Sequence, residues 1–134
     1  MNYNLFLDDE RKPKDVIWVN LPLVNWIIVR NYNEFIRIII ESGLPERVSF
    51  DHDLAMEHYP GGMGIYEGDP RIKTIKLDYD SYKEKTGYHC ALFLVNYCID
   101  HNLPLPTYYI HTLNPVGRMN IMSVMESAKK VIKL

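Results

Sequence analysis

Ionisable side chains end or directly follow three short apolar runs of this sequence, at points where strands would end. They are Asp8, Asp9, Asp51, His52, Asp53 and His111. Because the carboxyl ends of parallel strands lie along one edge of a sheet, where open α/β folds bind ligands, we expect these side chains to meet. Carboxylates brought together repel each other unless a cation or shared protons compensate. The pattern therefore predicts a polar site at one edge of a sheet.

Each side chain of this site has a chemical role and a structural alternative. The imidazoles of His52 and His111 are suited to moving a proton near pH 7, and Asp51 is a third catalytic candidate beside them. Hard divalent ions prefer oxygen ligands. A divalent cation, with Mg²⁺ as the preferred ion, is therefore predicted at Asp8, Asp9, Asp51 and Asp53. Any one of these aspartates is equally well explained as a turn or cap residue. A structural role is the less favoured alternative for His52 and for His111.

Groups suited to binding a phosphate lie beside the same strand ends. The candidates are Arg11, Arg30, Thr112, Asn114 and Gly117, with Arg118 as a further cation. Asn114 before Pro115 predicts the start of a helix, whose free N–H groups suit a phosphate oxygen. An arginine can add a bidentate contact to the same group. For Arg30, which ends a buried strand, pairing with a carboxylate is an equal alternative to ligand contact.

Length and composition are typical of one soluble globular domain. The 134 residues include 47% hydrophobic and 24% charged side chains, and the net charge of −2 gives no extended surface for nucleic acid. The sequence contains no stretch of 18 uncharged apolar residues and no signal-peptide pattern, so we expect a cytoplasmic protein without a membrane segment. Cys90 and Cys98 are expected to be buried thiols. The abundance of Ile, Asn, Tyr and Lys is typical of AT-rich genomes, many viral ones among them.

The elements that must position the site alternate along the chain. Strands are predicted at residues 5–7, 26–30, 47–50 and 107–111, and the first crossover, with Pro13 and Pro22, is expected to be irregular or a single turn. Helices are predicted after Asn31 or Asn33, from Thr86 to Asn102, and from Asn114 to about Lys130. Their predicted buried stripes are Phe35, Ile36, Ile39 and Ile40, then Ala91, Leu92, Val95, Cys98 and Ile99, then Ile121, Val124, Met125 and Ala128. Residues 55–85 are expected to form a long loop insert, with a small hairpin at 72–77.

Two resemblances follow from these segments. The acidic pair after the first strand, an aspartate after the third and Thr112 after the fourth resemble the response-regulator receiver domain. More specifically, the sequence is similar to the cyclic-phosphate processing receiver family in LFLDDERKP (5–13), VSFDHDL (48–54), TGY (86–88) and HTLNPVG (111–117). His89 stands where an acidic residue would be expected. The resemblance implies a receiver-like fold and processing of cyclic phosphates on nucleotide-derived or RNA-end substrates.

We therefore predict one receiver-like domain over residues 1–134. Its expected fold class is a three-layer α/β (flavodoxin-like) domain with a four-stranded parallel sheet in the order 2-1-3-4, lacking the fifth strand. The expected function is a metal-assisted phosphoesterase that opens a cyclic phosphate on a nucleotide-like molecule or an RNA end. The alternatives are a non-catalytic module that binds a cyclic nucleotide or a partner, and a phospho-accepting receiver. The sequence leaves the oligomeric state open.

Overall fold

The computed structural model describes residues 2–55 and 84–132, in which four short strands alternate with three helices. The strands are β1 (Asn4–Leu7), β2 (Trp26–Val29), β3 (Arg47–Phe50) and β4 (Thr107–Ile110). The helices are α1 (Tyr32–Ser42), α2 (Gly87–His101) and α3 (Pro115–Val131). A single 3₁₀ turn at Pro13–Asp15 interrupts the first crossover, which is otherwise irregular, as predicted. The predicted insert and its hairpin fall mainly on residues 56–83, outside the described ranges.

The strands form one all-parallel sheet in the order β2-β1-β3-β4, which confirms the predicted α/β class, the strand order and the receiver-like topology. Leu7, Phe50 and Ile110 are aligned across its three neighbouring strands β1, β3 and β4. The ladder extends one residue further, because the Asp51 N–H donates to the Leu7 carbonyl and the His111 N–H donates to the Phe50 carbonyl. Asp8, Asp51 and His111 therefore occupy equivalent positions just beyond the strand ends.

The helix boundaries follow from local capping chemistry. The Asn31 side chain accepts a hydrogen bond from the Glu34 N–H at the start of α1, and Gly43 ends that helix with a φ of 82°. Thr86 caps α2, and Asn102 ends it in the left-handed conformation. Asn114 caps α3, with proline at the first helical position. These caps agree with the predicted helix starts and decide between Asn31 and Asn33.

All three helices pack into one core against one face of the sheet, where Leu5, Leu7, Val48 and Phe50 are fully buried. Two side chains of the predicted stripes are exposed, so their predicted burial is wrong. Ile40 is 64% exposed and Ile99 is 47% exposed, whereas Ile36 and Leu92 are half-buried. In each case the preceding residue, Ile39 or Cys98, is fully buried, and the next residue is turned about 100° away from it.

The opposite face of the sheet places side chains directly beneath the predicted site. Phe6 and Ser49 are fully buried there, and Phe6 packs edge-on against Trp26.

No helix among residues 2–55 and 84–132 is long and apolar enough to cross a membrane. Both cysteines are buried and unpaired, as predicted.

Gly87 fixes the distance between α2 and the segment after β3. Its N–H donates to the His52 carbonyl at 2.8 Å, and a Cβ at this position would overlap the Asp51 carbonyl oxygen. We expect Gly87→Ala to lower the free energy of unfolding by about 3 kcal/mol or more, because backbone must move to admit the methyl group.

The matched control is Gly43→Ala, where a Cβ would meet no atom within 4 Å and only the positive φ is unfavourable. Gly43→Ala should lower the free energy of unfolding by about 1–2 kcal/mol. Urea unfolding of both variants measures the difference. If Gly87→Ala cost no more than Gly43→Ala, the close approach of α2 to Asp51 would be refuted.

Candidate functional site

Asp8 is a buried carboxylate with partners on both oxygens. Its Oδ1 accepts hydrogen bonds from the Glu10 N–H at 2.9 Å and the Arg11 N–H at 2.8 Å, and its Oδ2 lies 3.0 Å from His111 Nε2. Burial alone would raise the pKa of Asp8, but the bonds from His111, Arg11 and Glu10 outweigh it and hold this pKa below its usual value. Asp8 is therefore ionised at neutral pH.

His111 is held at both ring nitrogens. Its Nε2 lies 3.0 Å from Asp8 Oδ2 and its Nδ1 lies 2.7 Å from Ser49 Oγ, while the ring stacks on Phe6 with centroids 4.5 Å apart. Burial lowers the pKa of His111, although the Asp8 carboxylate acts in the opposite direction. Because an ionised carboxylate only accepts, the neutral ring is assigned as the Nε2–H tautomer, with Nδ1 accepting from the serine hydroxyl.

Asp51 differs from Asp8 because it is buried with one oxygen unsatisfied. Its Oδ1 accepts from the His52 N–H at 2.8 Å, but its Oδ2 is buried without a hydrogen-bond partner. Burial, reinforced by the negative charges of Asp8, Asp53 and Asp9, raises the pKa of Asp51 to about 8. At pH 7 this carboxyl group holds its proton unless a cation takes the place of that proton.

His52 and Asp53 form a second pair beside α3. His52 Nδ1 lies 2.8 Å from Asp53 Oδ1, which also accepts from Asn114 Nδ2 at 3.1 Å. The imidazole is fully buried, and a Cβ at position 117 would overlap it, so only glycine allows this contact. Asn114 connects the pair to the helix, because its Oδ1 accepts from the Val116 and Gly117 N–H groups at 3.1 Å.

The other predicted phosphate-binding groups have bonds within the protein. Arg30 Nη1 donates to the Asp8 and Arg11 carbonyls at 3.1 and 2.8 Å. Thr112 is buried, and its hydroxyl accepts from the Asn114 N–H at 3.2 Å. The side chain of Arg11 is 33% exposed, with Nη1 at 3.9 Å from Asp8 Oδ2. Of the predicted cations, Arg11 is therefore the one best placed to meet a ligand beside Asp8.

The structure gathers the predicted metal ligands differently from the prediction. Asp8, Asp51 and His111 each offer one ligand atom, and these atoms lie within 4.8 Å of one another. Within the described residues this group includes neither Asp9, which is partly exposed, nor Asp53, which is bonded to His52. Asp8, Asp51 and His111 continue one side of the sheet, and alternation turns Asp9 away from that side. The chain has left β3 at Asp53, which lies with His52 and Asn114 at the start of α3.

Three contacting residues were not singled out by the sequence analysis. Ser49 and Phe6 position the His111 ring, and the Trp18 indole N–H donates to the His111 carbonyl at 2.8 Å. The Arg11 guanidinium lies 5.1 Å from the centroid of the Trp18 ring. Side chains alternate between the two faces of a strand, so Ser49, two residues before Asp51, points to the same side of the sheet. This alternation was the only sequence signal that could have placed Ser49 in the site.

A model of the cyclic-phosphate processing receiver domain matches residues 3–127. The match includes all four strands, most of α3 and every residue of the site described above. Among curated proteins and among solved structures, none matches the chain. The match spans most of the sequence, and the sheet order is that expected of a receiver-like fold. The chain therefore belongs to the cyclic-phosphate processing receiver domain family.

Proposed function

We propose that the protein is a phosphoesterase that opens a cyclic phosphate on a nucleotide, a nucleotide-derived molecule or an RNA end. The observation that carries this proposal is the juxtaposition of Asp8, Asp51 and His111 at the carboxyl edge of the sheet. Family membership adds the cyclic phosphate as the substrate class. Opening such a ring requires attack of water on phosphorus and protonation of the leaving oxygen, which are tasks for paired acid and base groups.

The two imidazoles divide the proton transfers in this proposal. Asp53 accepts from His52 Nδ1–H, so the basic nitrogen of His52 is Nε2, which takes a proton from the attacking water. The water oxygen forms a bond to phosphorus and the ring P–O bond breaks. His111, when both of its ring nitrogens carry a proton, gives the Nε2 proton to the departing oxygen, which becomes a hydroxyl, and returns to the neutral imidazole. One proton is taken up and one is released, so the protein as a whole carries the same charge after ring opening.

The positions of Asp8 and Asp51 fit a divalent cation. Asp51 Oδ2 is buried without a partner, so this atom can bind an ion without losing an existing hydrogen bond. Asp8 and Asp51 would hold the ion, and a bound ion supplies positive charge that stabilises the phosphate oxygens as negative charge develops. Mg²⁺ is the ion expected for a ligand set made of carboxylates alone. Among the described residues, Asp9 and Asp53 lie outside the group formed by Asp8, Asp51 and His111, so they are not counted among the ligands of the proposed ion.

Arg11 is the proposed phosphate-binding side chain, because it is partly exposed and lies beside Asp8. Asn114 and Thr112 act here by supporting Asp53 and the start of α3. The Gly117 N–H is bonded to Asn114, so its proposed contact with a phosphate oxygen requires that cap bond to be exchanged. Arg30 supports the same region by binding the carbonyls of Asp8 and Arg11.

A binding module that holds a cyclic nucleotide without chemistry is the second candidate. The observation in its favour is that His52 and His111 are both fully buried and hydrogen-bonded to carboxylates. The two candidates differ in what they release, because an enzyme returns a ring-opened product and a binding module returns intact ligand.

The test is incubation of the purified protein with a panel of cyclic phosphates, in Mg²⁺, Mn²⁺ or EDTA, followed by separation of the products. The panel contains 2′,3′- and 3′,5′-cyclic nucleotides, cyclic dinucleotides and ADP-ribose cyclic phosphate. A ring-opened product made by the parent and lost in His111→Ala supports the phosphoesterase. Stoichiometric recovery of intact ligand after denaturation favours the binding module, and phosphate transfer to Asp51 or Asp53 from a small phosphodonor would favour a phospho-accepting receiver.

A further inference from the structure

The cluster beyond the strand ends contains a nitrogen ligand as well as oxygen ligands. Asp8, Asp51 and His111 are all buried, and their nearest ligand atoms lie within 4.8 Å of one another. Two carboxylates with one imidazole form a mixed set. Imidazole favours first-row transition ions such as Mn²⁺ and Zn²⁺, whereas Mg²⁺ is bound mainly by oxygen.

Asp51 gives an independent indication that this cluster takes a ligand. Its Oδ2 is the buried side-chain oxygen without a hydrogen-bond partner in the described part of the chain. Asp51 is 2% exposed, so water does not readily satisfy that atom. Either a proton or a cation must therefore compensate the charge of this carboxylate.

Ser49 allows His111 to exchange a hydrogen bond for a metal bond. The serine hydroxyl lies 2.7 Å from Nδ1, and a hydroxyl can either donate or accept. With the cluster free of metal, Nε2–H donates to Asp8 and Nδ1 accepts from Ser49. If the imidazole proton moves to Nδ1 and is donated to Ser49, the Nε2 lone pair is freed to bind an ion. A histidine that binds a metal commonly donates its other ring N–H to such a partner.

We propose that Asp8, Asp51 and His111 bind a first-row transition dication such as Mn²⁺ in preference to Mg²⁺, with the imidazole nitrogen of His111 as a direct ligand. The inference rests on the proposed function for the location of the cation and deepens it by naming the class of ion. With the ion bound, His111 Nε2 is a ligand and not a proton donor, so in that form the departing oxygen takes its proton from solvent water. Three protein ligands leave coordination positions open for water and for a phosphate oxygen. Ser49 acts as a positioning residue, because its hydroxyl accepts the Nδ1 proton of His111 in the tautomer that binds the ion.

The test is binding of Mn²⁺ to the full chain without substrate. Loss of the free Mn²⁺ signal in electron paramagnetic resonance gives the affinity, and competition with Mg²⁺ gives the preference, which we expect to exceed tenfold. Pulsed electron paramagnetic resonance of the bound Mn²⁺ should show hyperfine coupling to a directly coordinated imidazole nitrogen. Bound Mn²⁺ without nitrogen coupling, an equal affinity for Mg²⁺, or no binding at millimolar Mn²⁺ would each overturn the proposal.

Variants assign the nitrogen to His111. His111→Gln should abolish the nitrogen coupling and weaken Mn²⁺ binding at least tenfold, and Ser49→Ala should weaken Mn²⁺ binding by about 10- to 100-fold while keeping the coupling. His101→Gln is the matched control, because His101 is exposed at the end of α2 and should leave both signals unchanged. Coupling that persists in folded His111→Gln protein would refute the assignment. Because these measurements use no substrate, their outcome is independent of whether the protein turns over a cyclic phosphate.

Discussion

Asp51→Asn raises the free energy of unfolding, and the gain grows as the pH rises from 4 to 8 in the absence of divalent cations. The folded protein raises the pKa of Asp51 to about 8 from its ordinary value of 3.8, because the carboxyl is buried near Asp8, Asp53 and Asp9. Between these two pH values the folded state binds the proton more tightly than the unfolded state, so the parent loses stability as pH increases. Asparagine keeps the shape of the neutral acid and does not ionise.

The measurement is urea unfolding of parent and variant in EDTA at pH 5, 7 and 9. Between pH 4 and pH 8, the slopes of unfolding free energy against pH should differ between parent and variant by up to about 1.4 kcal/mol per pH unit. Above pH 8 the two slopes should become equal. Asp100→Asn, an exposed change on α2, controls for the loss of one negative charge. A parent and an Asp51→Asn variant with parallel pH profiles would show that Asp51 is ionised in the folded protein.

His52→Ala and His111→Ala should each lower turnover of the cyclic phosphate substrate by about 10²–10⁴, the range found for a positioned acid or base. His52 lies 2.8 Å from Asp53, and His111 lies 3.0 Å from Asp8, so each alanine removes an imidazole that a carboxylate orients. The measurement is kcat on the substrate identified from the cyclic phosphate panel, with circular dichroism to establish that the variants fold. Two folded variants that turn over substrate at the parent rate would remove the acid–base assignment.

The control for these substitutions is His101→Ala, an exposed histidine that bonds the Tyr97 carbonyl at the opposite end of α2. It should keep the parent turnover. Because His52 and His111 are fully buried, a fall in turnover accompanied by lost structure would be a packing effect. His52→Gln and His111→Gln then keep most of the side-chain volume while removing the imidazole, and they should show the same loss of turnover.

Local sequence signals predicted the elements and the edge at which the site lies. Apolar runs ending in ionisable residues located β1, β3 and β4. Thr86 and Asn114 marked two helix starts, and for α1 the sequence left Asn31 and Asn33 as alternatives. These signals are local, because a cap or a strand end depends on a few neighbouring residues. The parallel arrangement of the strands also limited where the site could lie, since it puts the carboxyl ends of all the strands on one edge of the sheet.

The pairing within the site depended on the tertiary structure. Six ionisable residues were predicted together, but the register of β1, β3 and β4 aligns Asp8, Asp51 and His111 on one side. His52 lies on the other side, where it contacts Gly117 and bonds Asp53. Sequence alone gives the alternation along one strand, but it does not give the alignment between strands that decides which side chains meet.

Burial was the second property that the sequence by itself could not determine. The chain contains several aspartates after strand ends, yet Asp8 has partners on both oxygens and Asp51 has one oxygen without a partner. Their pKa values consequently shift in opposite directions, although both side chains follow apolar strands. The sequence determined which groups lie at the sheet edge, and tertiary packing decided which of them hold a proton, because desolvation and hydrogen bonds depend on every neighbour in space.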